Sequence, residues 1–181
     1  MLEQPTTEPD PEYVVLVDED DNQLGTEEKM AAHRAPGQLH RAISVVLFDS
    51  RGRMLLQQRA AEKHHFKSLW SNTCCTHPRP GESVIDAGRR RLGEEMGCDA
   101  RLRDVGSFIY RAQDPDSGLV EHELDHVLVG IFNGEPKINR AEARAARWMH
   151  LDAIDSNLAT SPYRYTPWFE EVLEIARGSR S

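Results

Sequence analysis

Three carboxylates, Glu121, Glu123 and Asp125, recur at every second residue. In a strand that spacing sets all three on one face. Like charges so placed repel unless a cation or solvent compensates. A solvated edge strand would carry the same acids. The run continues as Val127, Leu128, Val129, Ile131 and Phe132, which reads as a central strand and points to a metal. His33, His40 and His77 would add three nitrogens to two of those carboxylate oxygens. Such a set suits Zn²⁺, Mn²⁺ or Mg²⁺. Spacing does not show whether they converge, and a lone histidine is more often a surface or hydrogen-bonded core residue. Cys75 stands two residues before His77 in Asn72-Thr73-Cys74-Cys75-Thr76-His77-Pro78. Catalytic thiol, buried thiol and structural zinc ligand all stay open for it. The zinc reading would recruit Cys74, His64 and His65, yet adjacent cysteines lack the usual Cys-x-x-Cys spacing. Cys98, after Gly97, reads as a small packing residue.

These residues need elements to hold them. Tyr13 to Val17 is β-branched and ends at Asp18-Glu19-Asp20-Asp21-Asn22, a strand and a turn. Thr26 to Ala35 reads as a short helix capped by Thr26 and closed before Pro36-Gly37. Ala42 to Phe48 and Met54 to Gln58 read as strands joined by a turn at Ser50-Arg51-Gly52-Arg53. Ala60 to Ser71 is a polar connection. A helix should start near Ser83, with Asp86 three residues on in a capping-box relation, and stop at Gly97. Val105 to Tyr110, Val120 to Phe132 and Arg147 to His150 read as strands. The final helix should start with Thr166 as N-cap and Pro167 in its first position. Strands outnumber helices without regular alternation, so the expected class is α+β, a mixed sheet packed between helices.

The chain of 181 residues suits one domain with a real core. We expect it to span 12–178, behind a disordered acidic tail at 1–11 that holds Glu3, Glu8, Asp10 and three prolines. That tail is the opposite of a basic targeting peptide, and no apolar run approaches the ~20 residues of a membrane helix. The expected place is the cytoplasm. A net charge of −8 argues against nucleic acid and anionic membranes as partners. A monomer or weak dimer acting on a small molecule is expected. Three cysteines, two of them adjacent, fit free thiols better than a disulfide framework. Basic residues still cluster at Arg51, Arg53, Arg59, Lys63 and Lys67 and at Arg89-Arg90-Arg91. They read as solvated faces or as a pocket for a small anion.

Glu82 followed by Arg90-Arg91-Leu92-Gly93-Glu94-Glu95-Met96-Gly97 resembles the Nudix box, a loop and helix that turn carboxylates toward a Mg²⁺-bound diphosphate. Thr76 replaces the first glycine of that pattern, and Arg91 replaces one of its metal-site acids. Those departures match another branch. Glu28-Lys29-Met30-Ala31-Ala32-His33, Leu39-His40-Arg41-Ala42, Trp70 to Pro78 and Val120-Glu121-His122-Glu123 resemble the type I isopentenyl-diphosphate isomerases, a Nudix-fold family. The likeness runs from about Tyr13 to Trp168.

The resemblance implies one divalent metal, Mn²⁺, Mg²⁺ or Zn²⁺, on His33, His40, His77, Glu121 and Glu123. It implies a Mg²⁺ held by the diphosphate and Glu95, and a diphosphate met by Lys29, Arg59, Lys63 and, more weakly, Arg91. Cys75 and Glu123 would work from opposite sides of an alkene, with Tyr110 beside the acid and Trp168 over a carbocation. An unactivated alkene is a feeble base, so such chemistry needs an acid, a base and a dry pocket. The competing expectation is a Nudix hydrolase of a nucleoside diphosphate derivative, which needs the missing acid and not the thiol.

Overall fold

A computed structural model describes residues 12–180; the tail expected at 1–11 lies outside the described residues. Tyr13–Val17 (β1) and Gln23–Glu28 (β2) form a hairpin across the predicted turn. Thr26 therefore does not cap a helix. It is β-branched and pairs with Val15, so the strand continues to Glu28. Glu28 is the cap instead, accepting from the Met30 and Ala31 amides, and the helix is short, Lys29–His33 (α1).

His40–Phe48 (β3) is the hub of a nine-stranded mixed sheet. It runs antiparallel to β1, to Met54–Arg59 (β4) and to Cys74–Thr76 (β6), and parallel to Val120–Ile131 (β8). Leu102–Gln113 (β7) pairs along the whole of β8, while Trp70–Ser71 (β5) and Ala143–Met149 (β9) both pair with β4. The strand predicted over Arg147–His150 starts earlier and ends one residue sooner.

Val84–Arg91 (α2) begins where expected. The Ser83 hydroxyl accepts from the Asp86 amide at 3.1 Å and donates to the Asp86 carboxylate at 2.8 Å. The helix widens into a π-helical turn, Leu92–Met96, and stops at Gly97 in the left-handed region (φ 59°). It packs on one face of the sheet, where Ala87, Leu92 and Met96 meet Ile43, Val45, Leu47 and Leu128. Gly88 permits that approach, since a Cβ there would sit 2.8 Å from methyls of Leu102 and Leu128. The opposite face carries Val46, Phe48, Val127 and Val129 and is covered by Phe169–Gly178 (α4) through Phe169, Val172, Leu173 and Ala176. This is an α+β sheet between helices, as the sequence led us to expect.

Leu151–Thr160 (α3) was not expected: its apolar stripe is slight and only Ile154 is buried. Helix α4 also starts later than expected. Thr166 is tied to β5, its amide to the Trp70 carbonyl at 2.9 Å and its hydroxyl to that of Ser71 at 2.9 Å, so Trp168 takes the N-cap position. No helix among the described residues is long and apolar enough to cross a membrane.

Candidate functional site

Strand register assembles the site. His40 lies opposite Glu123 in the β3–β8 pair, and Tyr110 lies opposite Glu123 in the β7–β8 pair. Ser44 lies opposite Cys75 in the β3–β6 pair. Cross-strand partners share a face, so Glu121, Glu123, Asp125, His40, Ser44, Cys75 and Tyr110 all project to one side. Cys74 points the other way, into the core under α2. Adjacent cysteines on opposite faces of β6 cannot share one ion, which removes the structural zinc reading. All three cysteines are free thiols.

His33, His40, His77, Glu121 and Glu123 converge, with one donor atom from each lying within 4.8 Å of all the others. His33 Nδ1 faces the Lys29 carbonyl at 2.6 Å and His40 Nδ1 faces that of Gln38 at 2.8 Å. A carbonyl accepts, so each Nδ1 carries its proton and each Nε2 turns a lone pair inward. His40 Nε2 is buried without a hydrogen bond, 3.4 Å from Glu123 Oε1. His33 Nε2 lies 3.2 Å from Glu121 Oε2, and His77 Nε2 2.7 Å from Glu123 Oε1. Lone pairs facing carboxylates call for a cation between them, so the donor set fits a divalent metal.

Burial, with His40 and His33 alongside, pushes His77 well down and keeps it a neutral ligand-type imidazole. His33 is pushed up: the neighbouring Glu121 outweighs its burial. Burial opposes ionisation of Glu123, yet His40, Glu121 and Tyr110 hold its carboxyl low. The Tyr110 hydroxyl donates to Glu123 Oε2 at 2.6 Å, and burial plus the nearby carboxylates keep that phenol protonated. Burial and the facing carboxylate of Asp125 push the Cys75 thiol up to about 12. Ser44 bridges the two, donating to Asp125 Oδ2 at 2.7 Å with its oxygen 3.5 Å from Cys75 Sγ, and Asn72 Nδ2 donates to that sulfur at 3.3 Å. Burial and the charge of Glu123 push Asp125 well up.

A cavity of about 710 Å³ joins these groups to the expected diphosphate residues. Lys29, Arg59, Lys63, Arg91, Glu95, Tyr110 and Trp168 all line it. Lys29 pairs with Glu12 at 2.7 Å, and Lys63 pairs with Glu142. Arg91 pairs with Glu94 at 2.7 Å, with Glu95, and with Glu142 at 3.2 Å. Arg59 donates to the carbonyls of His65 and Phe66, both at 3.1 Å, and lies 5.6 Å from the Trp168 ring. Glu95 is buried and accepts from Gln57 at 2.8 Å. Trp168 is at once core and wall: it is 3% exposed, donates to Ser71 at 3.1 Å, and its ring stands 5.8 Å from Tyr110.

Three residues at this site are not marked out by any sequence motif. Glu142 and Glu12 neutralise Lys63 and Lys29, and neither sits in a motif. His65 touches Glu121 and carried a signal only as half of His64-His65.

A NUDIX domain profile matches residues 38–169. A Nocardia farcinica protein named Isopentenyl-diphosphate Delta-isomerase is 53% identical over 163 residues, covering 90% of this chain and 93% of that one. One from Aromatoleum aromaticum, Isopentenyl-diphosphate Delta-isomerase 2, is 48% identical over 170 residues, covering 94% and 89%. The chain belongs to the isopentenyl-diphosphate Delta-isomerase family. Among solved structures, DR0079 from Deinococcus radiodurans superposes with a TM-score of 0.73 at 19% identity, covering 91% of this chain and 99% of that one. At that identity the likeness concerns the fold alone.

Proposed function

We propose that this chain interconverts isopentenyl and dimethylallyl diphosphate through a tertiary carbocation. The observation that carries the reading is a thiol, Cys75, and a carboxylate with its own phenol donor, Glu123 and Tyr110, facing one cavity that Lys29, Arg59, Lys63 and Arg91 also line. In this reading His33, His40, His77, Glu121 and Glu123 hold one divalent metal, Mn²⁺, Mg²⁺ or Zn²⁺, and Glu95 meets a Mg²⁺ that arrives with the diphosphate. When bound, the first ion fixes the Glu123 carboxylate and lowers its basicity, and the second offsets phosphate charge. Lys29, Arg59, Lys63 and Arg91 take the diphosphate oxygens, exchanging their present carboxylate or carbonyl partners for phosphate. Anchoring that remote group holds the alkene between acid and base.

Cys75 and Glu123 are the acid–base pair, and they exchange roles with direction. In the resting site the proton is on sulfur and the carboxylate is bare. Starting from isopentenyl diphosphate, the thiol gives its proton to the terminal methylene carbon. The π electrons form the new C–H bond and the cation is left on the branched carbon. Glu123 then takes a proton from the adjacent methylene, whose C–H electrons become the new double bond. Once product leaves, Glu123 gives that proton to water and the Cys75 thiolate regains one from water, which restores the resting state. Tyr110 orients Glu123. Trp168 offers its π face to the cation, an effect of about 2 kcal/mol or more where water is excluded. Trp168 and Tyr110 line the cavity, with Phe66 packed edge-on against Trp168, and these rings keep water from trapping the cation.

The hydrolase alternative is disfavoured by Arg91, which occupies the position of a metal-site acid and puts a positive charge there. Three free thiols support a reducing compartment, the cytoplasm. The test is incubation with isopentenyl diphosphate and Mg²⁺ in heavy water. Dimethylallyl diphosphate carrying deuterium is expected. Phosphate release without isomerisation would overturn the reading.

A further inference from the structure

One histidine touches the five-residue cluster without belonging to it. His65 is 9% exposed, and its Nε2 hydrogen-bonds Glu121 Oε1, while the other oxygen of Glu121 faces His33 Nε2 at 3.2 Å. His65 is also wired the opposite way from His33 and His40. Those two spend Nδ1–H on backbone carbonyls and turn Nε2 lone pairs inward. His65 Nδ1 is buried with no hydrogen-bond partner, and Nε2 is its bonding atom. The tautomer that satisfies an anionic carboxylate places the proton on Nε2. A ring with that atom protonated and directed at Glu121 is a donor to a ligand rather than a ligand.

The loop is built to hold the ring there. The carbonyls of His65 and Phe66 both accept from Arg59, Phe66 adopts a φ of 49°, and its ring packs edge-on against Trp168 with centroids 5.5 Å apart.

We propose that His65 is a positioning residue of the metal centre. It grips Glu121 Oε1 and leaves Oε2 aimed at the ion between His33, His40, His77 and Glu123. This rests on the metal reading of that cluster. The segment that orients Glu121 is also the one Arg59 braces.

The test is direct binding of Mn²⁺ to the metal-stripped full chain, followed by electron spin echo spectroscopy of the loaded protein to count coordinated nitrogens. His65→Leu should weaken Mn²⁺ binding by about 10–100-fold, the usual loss when an outer-shell partner is removed. His65→Gln, which can still donate an N–H to Glu121, should recover most of it. The nitrogen count should be the same in wild type and both variants. Circular dichroism of the metal-free proteins checks that they fold. Unchanged affinity in folded His65→Leu, no recovery in His65→Gln, or the loss of one nitrogen would each overturn the proposal. Wild type is measured first: failure to bind Mn²⁺ at all would refute the metal reading itself, separately from any role of His65.

Discussion

If the resting proton sits on Cys75, the thiol should behave as an unusually weak acid. The perturbation is pH, and the assay is alkylation by iodoacetamide of the metal-free protein, followed at the Cys75 peptide by mass spectrometry. Only the thiolate reacts. With the thiol pushed up to about 12, the thiolate fraction is about 10⁻⁴ at pH 8 and about 3 × 10⁻³ at pH 9.5, a rise of roughly 30-fold. An ordinary thiol near 8.5 would go from about 0.24 to about 0.9, less than 4-fold. The slope separates ionisation from access, because burial slows the reaction equally at every pH. Burial pushes Cys98 up to about 11 and Cys74 well up, so their rates should climb with pH in parallel with that of Cys75, and the peptide-level readout keeps the three apart. A plateau in the Cys75 rate below about pH 9.5 would refute the assignment of the resting proton to sulfur.

Cys75→Ala should abolish turnover with the fold intact, whereas Cys98→Ala should keep turnover and cost on the order of 1 kcal/mol of stability, both read by activity and urea unfolding. Gly88→Ala should destabilise by about 1–3 kcal/mol in the same unfolding assay, because its Cβ would press on Leu102 and Leu128 beneath α2. Glu82 is held low by the two hydrogen bonds of Arg90, at 2.8 and 2.9 Å. Its folded pKa is below its unfolded one, so it stabilises above about pH 4.3 and loses that contribution as pH falls through the folded value. Glu82→Gln should therefore flatten the acid limb of a stability–pH curve by about 1 kcal/mol or less, measured by thermal unfolding.

The fold was legible where the pattern was strong. Alternating or continuous apolar strands at 13–17, 42–48 and 120–132 and the Ser83 cap were plain in the sequence, because local propensity and tertiary role agree there. The failures have local causes. Thr26 has cap chemistry, but its pairing with Val15 wins. Thr166 has cap chemistry too, but its hydroxyl bonds Ser71. Helix α3 buries one apolar residue and leaves no stripe to read. At the site, residues in motifs were legible as candidates, while Glu12, Glu142 and the contact of His65 depend on chain packing that no spacing encodes.

The Asn-Thr-Cys-Cys run is informative for a physical reason. In a strand a slip of one residue exchanges the two faces. On β6 such a slip would bury Cys75 under α2 and offer Cys74 to the cavity. Three residues of ladder hold register weakly, so side chains do it. Thr73 accepts from the Leu47 amide at 2.9 Å and donates to the Leu55 carbonyl at 2.7 Å, clamping β3 to β4. Asn72 donates to the carbonyls of Val45 and Cys74 at 3.1 and 2.9 Å and also reaches Cys75 Sγ. Both side chains are fully buried. Of two neighbouring thiols, then, the one that meets the cavity is chosen by the two residues written just before them.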